Sequence, residues 1–269
     1  MTTRILLTTL VFALVSSPAY ATWSVIALDR ATGTVVISSA TCVPQARLEG
    51  FPAKDLRDIQ AIVVPGVGVA AAQAGVDRTR ANQKLVFSEL RKGTPPADII
   101  AMLKQDPEIE RRQFGIVDMH GRAAGFSGAK NGQASLDRQG QVPGTGIHYS
   151  IQGNILKSDE VVESAVQAFV GATGSLTDRV MAAMEAADAK GGDSRCTCES
   201  EPKLEAPCDG RTSHVAYILR AEKGDRSGES FNDGDYAMYI SVTDKDITPA
   251  ENANPVKTLR MRYDARPRQ

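Results

Sequence analysis

Histidine is scarce in this sequence, and its placement excludes a good deal. His120, His148 and His214 are the only three in 269 residues, and they stand far apart. No helix carries metal ligands paired one turn apart, so a zinc hydrolase of that kind is disfavoured and no metal site is expected. His120 reads as part of a turn, and His148 and His214 as satisfied structural histidines. Charge of one sign is not in excess either. The chain has 31 basic and 32 acidic residues, a formal net charge of −1, which removes the electrostatic ground for a nucleic-acid partner. Long apolar runs are also missing. The one apolar stretch, Ile5 to Val15, falls short of the about 20 residues that cross a bilayer. No stable membrane anchor is therefore expected. No cofactor motif, internal repeat, coiled coil or low-complexity segment is found.

What is present begins at the N-terminus. Arg4 is the only charge before Asp29, an apolar run follows it, Ser16-Ser17-Pro18 break the run, and Ala19-Tyr20-Ala21 has the small-x-small pattern of a cleavage site. Residues 1–21 are thus expected to be a cleavable signal peptide. The mature chain would then be a periplasmic or secreted domain spanning residues 22–269, long enough for one large core. Four cysteines fit an oxidising compartment: Cys42, Cys196, Cys198 and Cys208. Their even count points to disulfides. Zinc is the weaker reading, because Cys196 and Cys198 have a single residue between them.

The order of elements follows from period and punctuation. Trp23–Leu28 and Thr34–Ser39 read as strands of a hairpin around Asp29–Gly33. Two short strands flank Pro65-Gly66, and Ala70-Ala71-Ala72 suggests a close approach of another backbone or a ligand. Helices are expected from about Arg78 to Arg91, with Asp77 as cap, and from Thr94-Pro95-Pro96 to Lys104. Strands follow at Gln113–Asp118, Arg122–Ser127 and Gly146–Gly153. Two further helices run over 158–170 and 175–190, the second opened by Ser175 and Asp178. Strands at 213–219 and 236–242 remain, with 199–211 and 222–235 as polar loops. The tail from Asn254 either pairs or frays. Helices come in pairs after groups of strands, which argues against a doubly wound parallel sheet. It suits an α+β fold of antiparallel sheets with helices on their outer faces.

Chemistry enters with the expected cleavage. A threonine hydroxyl needs a base, and a threonine at a new N-terminus carries one in its own α-amine, whose reference pKa is about 7.7–8.0. Thr22 would be that residue, at the head of a strand.

Thr22-Trp23-Ser24-Val25-Ile26-Ala27-Leu28-Asp29 resembles the start of domain of unknown function 1028, a family grouped with the N-terminal nucleophile (Ntn) hydrolases. Further similarities follow in order: Gln73-Ala74, Arg112 to Asp118 with Gly121-Arg122, Phe126-Ser127-Gly128, Gln152 to Leu156, and Gly191-Gly192-Asp193. The resemblance implies a four-layer αββα sandwich of antiparallel sheets with the nucleophile at the start of an inner strand. It weakens after Asp193, where a cysteine-containing insertion occupies about 194–211.

The candidate site residues are then Thr22 as nucleophile, Asn154 as oxyanion donor and Gln73 as a second donor or substrate contact. Ser38 or Ser39 would bind the α-amine; alternation lets only one face the site. Asp193 would orient another group. The function expected is hydrolysis of an amide in a small molecule, an N-acyl compound or a peptide fragment. The alternative is a catalytically silent exported domain that binds a ligand or an envelope partner. A homo-oligomer is left open. For the cysteines, Cys208 should pair with Cys196 or Cys198, and the other should reach Cys42, because a bridge between neighbours two apart in an extended chain is strained.

Overall fold

The computed structural model describes residues 22–51 and 53–267. The expected signal segment lies outside the described residues. β1 (Thr22–Asp29) and β2 (Thr34–Thr41) form the hairpin, with Gly33 at φ 78° closing its turn. β1 is buried on both faces, which explains its near-continuous apolar sequence. Trp23, Val25 and Ala27 belong to one apolar core, while Ile26 and Leu28 belong to another.

Two five-residue helices follow, α1 (Gln45–Glu49) and α2 (Leu56–Gln60). β3 (Ala61–Val64) and β4 (Gly68–Ala74) precede the helices α3 (Ala81–Lys92) and α4 (Pro96–Leu103). α3 starts later than the sequence suggests: the Asp77 carboxylate accepts from the N–H groups of Thr79 and Asn82, and so shapes the turn before the helix. Next come β5 (Arg112–Asp118), β6 (Ala123–Ser127), β7 (Leu136–Gln141) and β8 (Ile147–Asn154). α5 (Glu160–Gly171) and α6 (Leu176–Ala189) follow, and Ser175 and Asp178 complete a reciprocal capping box on α6. β9 (Val215–Ala221), β10 (Met238–Thr243) and α7 (Pro255–Asp264) end the chain.

The tail is therefore a helix, against the expectation that it pairs or frays. Asn254 accepts from the N–H of Val256, Pro255 occupies the first turn, and Val256 and Leu259 are buried. Tertiary burial of those two side chains decides the matter for an otherwise polar helix.

Ten strands form two antiparallel sheets, with seven α-helices among the described residues. The larger sheet has the order β10-β9-β2-β1-β8-β7 and the smaller β3-β4-β5-β6. β9 pairs with β2, so the chain beyond the insertion completes the sheet that the first hairpin begins. The sheets meet face to face, β1 over β4 and β8 over β5. α5 and α6 cover the outer side of the larger sheet, and α3 and α4 that of the smaller. α2 touches β3 and β4 as well as β9, at the edge between the sheets.

The space between the sheets is divided. One end is aliphatic, with Ile26, Leu28, Val35, Ile37, Val69 and Val117. The other is a buried polar layer of glutamines and serines. Gly115 on β5 makes room for it: a Cβ there would lie 2.2 Å from Gln152 Oε1 and 2.6 Å from Ser150 Oγ.

Candidate active site

The antiparallel register places Thr41, Thr22 and Asn154 in one row across β2, β1 and β8. Directly opposed residues project from the same face, here the face that looks onto the smaller sheet. The Thr22 hydroxyl donates to Thr41 Oγ1 at 3.3 Å, and Thr41 Oγ1 also accepts the N–H of Val43 at 3.3 Å. Asn154 Nδ2 donates to the Asn131 carbonyl at 3.5 Å. All three row residues are buried.

Gln73 reaches this row from β4. Its Nε2 donates to the Thr22 carbonyl at 3.0 Å and to Gln113 Oε1 at 2.7 Å. Its Oε1 accepts from Ser24 Oγ and from Gln60 Nε2, both at 2.7 Å. With both amide hydrogens engaged, Gln73 acts on the backbone of Thr22. The chain of bonds continues in one direction: Tyr217 donates to Gln60, Gln60 to Gln73, Gln73 to Gln113, Gln113 to Ser127, and Ser127 to Asp137. A branch runs from Gln139 through Ser150 and Gln152 to Ser24. Burial pushes the Tyr217 phenol well above its ordinary range, with Tyr239 and Asp55 adding to the effect, so Tyr217 stays a donor.

Ser39 does point to the inner face, as alternation requires, but it sits opposite Ser24, two rows away from Thr22. Its hydroxyl donates to the Trp23 carbonyl at 2.6 Å, and that of Ser38 to the Tyr217 carbonyl. The neighbour of Thr22 is Thr41, which sequence reasoning missed. The hairpin held the signal: once Asp29 pairs with Thr34, counting outward brings Thr22 opposite Thr41. Gln60, Gln113 and Gln152 were missed as well. Gln113 and Gln152 are long polar side chains within strands that are otherwise buried, a pattern that marks an internal network.

Asp193 is fully buried behind this end of the hairpin. Its Oδ2 accepts the N–H of Cys42 at 2.9 Å, the residue next to Thr41, and its carboxylate pairs with the Arg195 guanidinium at 2.8 Å. Gly192, at φ 45°, packs under Trp23: a Cβ there would lie 2.7 Å from the indole ring. The Gly191-Gly192-Asp193 stretch thereby brings a carboxylate up against the strand end.

The four cysteines form two disulfides, Cys42–Cys196 and Cys198–Cys208. Of the two arrangements left open, it is Cys196 that reaches Cys42. The insertion closes around Arg211, which donates to the carbonyls of Ser200 and Pro202 and contacts His214 Nδ1. Burial first, and then Arg211, hold the His214 imidazole down to about 4. Among the described residues, Cys42, Cys196 and His214 are the one group whose ligand atoms converge, within 4.8 Å. Both sulfurs are committed to the disulfide, so the set lacks the thiolates that a metal needs. No helix among the described residues is long and apolar enough to cross a membrane.

A small cavity of about 20 Å³ adjoins Thr22 and Thr41, lined by side chains of α1, α2 and β4 together with Val43 and Val76.

The geometry defines a protein of two facing antiparallel sheets with a threonine at the head of a central strand. The chain belongs to the family described as "family of unknown function (DUF1028)", which matches residues 22–201. Among solved structures, that of protein SPO2555 from Silicibacter pomeroyi, which carries the same family description, is similar with a TM-score of 0.64 and 22 % identity. The match covers 91 % of this chain and 88 % of the other, and at that identity it speaks for the fold alone. No curated protein matches the chain.

Proposed function

We propose that this chain is an exported amidohydrolase of the Ntn type, with a four-layer αββα sandwich as its scaffold and Thr22 as its nucleophile. The observation that carries the reading is the position of Thr22. It opens a central strand, shares a row with a hydroxyl and an amide, and has its carbonyl held by Gln73. The family match also begins at this residue.

In this reading, cleavage after Ala21 frees the Thr22 α-amine. The amine takes the hydroxyl proton as Oγ1 attacks an amide carbonyl. Asn154, together with backbone N–H groups, stabilises the oxyanion, an effect worth a few kcal/mol in comparable sites. The protonated amine then delivers its proton to the leaving nitrogen as the C–N bond breaks. Water, deprotonated by the same amine, hydrolyses the ester left on Thr22. Thr41 orients the hydroxyl, Gln73 fixes the backbone and Asp193 braces the end of β2.

N-terminal sequencing and intact mass of the exported protein test the first step, since a first residue other than threonine removes the base. Trapping with electrophiles selective for N-terminal nucleophiles tests the second. Thr22→Ser should retain part of the labelling. Thr22→Ala, or one residue left before Thr22, should abolish it with the fold intact. A correctly processed chain that resists every trap would instead be a binding domain.

A further inference from the structure

We infer that the acyl half of the substrate is a short, uncharged aliphatic group of two to four carbons. The inference rests on the reading of Thr22 as nucleophile and is carried by what surrounds its hydroxyl. The cavity beside Thr22 and Thr41 is walled by Val43, Leu48, Leu56, Ile59, Ala72 and Val76, with no charged side chain on its lining. Its glutamines are engaged with each other and with the strands around them. Both Nε2 hydrogens of Gln73 are used, on Thr22 and Gln113, and Gln60 donates to Gln73. A carboxylate or ammonium placed here would lose its hydration and find no counter-charge, which costs heavily.

Size sets the other limit. A space of about 10–15 Å³ in this measure admits one water, and the cavity at Thr22 is about 20 Å³. A second space of about 10 Å³ lies next to it, sharing Ile59, Ala72, Gln73 and Val76; its far wall carries Asp77 and Arg112, and the Arg112 guanidinium is already held by the Asp106 carboxylate and the Gly75 carbonyl. Together they accept a chain of a few carbons, pointing from Thr22 along β4. The limit comes from aliphatic side chains and not from backbone: Leu48 belongs to α1 and Ile59 to α2. Ala72 on β4 keeps the floor open.

The test uses protein processed to begin at Thr22 and the p-nitrophenyl esters of acetic, butanoic, octanoic and succinic acids. In each case the Thr22 Oγ1–carbonyl bond forms, the carbonyl–aryl oxygen bond breaks, p-nitrophenolate leaves, and the hydroxyl proton passes to the α-amine. Labelling is read by intact mass and peptide mapping, after subtracting direct amine acylation measured on Thr22→Ala. Acetyl and butanoyl should label at least about tenfold faster than succinyl and octanoyl, each methylene that fits contributing about fourfold. Ile59→Ala should move the optimum towards longer chains. Succinyl equal to butanoyl, or a rate still rising at octanoyl, overturns the inference and leaves Thr22 a nucleophile. Labelling by no ester above the Thr22→Ala background overturns both.

Discussion

Thr22 and Thr41 face each other across the first hairpin, their hydroxyl oxygens 3.3 Å apart. Thr41 Oγ1 accepts from both Thr22 and the Val43 backbone, so the Thr22 hydroxyl is aimed by a group that is itself fixed. Thr41→Val keeps the shape and removes the acceptor. The expected outcome is Thr22 labelling slowed by about 10- to 100-fold, equivalent to about 1.4–2.7 kcal/mol. Loss of stability should be about 2–4 kcal/mol, because the Thr22 hydroxyl and the Val43 N–H both lose their acceptor. Labelling kinetics beside urea unfolding separate the two effects.

Gln73 is the junction of the inter-sheet network. Gln73→Leu strands the Thr22 carbonyl, Gln113 Oε1, the Ser24 hydroxyl and the Gln60 amide at once. Buried groups left without partners cost about 1–3 kcal/mol each, less whatever re-pairing recovers. We expect a loss of about 3–5 kcal/mol, far more than a surface Gln→Leu change, measured as a shift of the denaturation midpoint at constant slope.

The two disulfides should differ in what they support. Cys42–Cys196 closes a separation of 154 residues and Cys198–Cys208 one of 10. Chain-entropy reasoning assigns them upper figures of about 5 and about 2.7 kcal/mol. Cys42 also follows Thr41 and donates its N–H to Asp193. Replacing the first pair by serines should therefore lower both stability and Thr22 labelling, whereas replacing the second should lower stability alone. Equal labelling in the two double variants would refute the link.

Acid should weaken the fold through His214. Its imidazole stands at about 4 in the folded chain against 6.5 ordinarily, because of burial and then Arg211. Below pH 6.5 the unfolded chain gains a proton that the folded chain refuses. Stability conferred by the neutral form is complete above 6.5, declines as pH falls towards 4, and levels off below it. The shift corresponds to at most about 3 kcal/mol. Across pH 7 to 4 the stability of wild type should fall relative to that of His214→Gln by about this amount, read from melting curves; a difference that does not change with pH excludes this group.

Local signals were legible wherever they did not depend on distant partners. The β1–β2 hairpin follows from its turn and β-branched strands, and α6 from the Ser175–Asp178 box with Gly191 just beyond its end. β7 was not legible, because Leu-Asp-Arg-Gln-Gly-Gln has no apolar alternation and becomes a strand by pairing with β8. The short helices α1 and α2 escaped for a similar reason: five residues are too few to show a helical period.

By itself, the sequence determined the antiparallel α+β character, the paired helices, the even cysteine count and the strand that follows Thr22, since each rests on neighbours along the chain. The opposition of Thr41, and not Ser39, to Thr22 follows by counting from the turn once Asp29 meets Thr34, but tertiary structure alone decided that Asn154 of β8 joins that row. It decided that Gln73 holds a backbone carbonyl, because its partners come from β1, α2 and β5. It also decided that Cys196 and not Cys198 reaches Cys42, a choice between residues two apart that only the three-dimensional path of the chain can make.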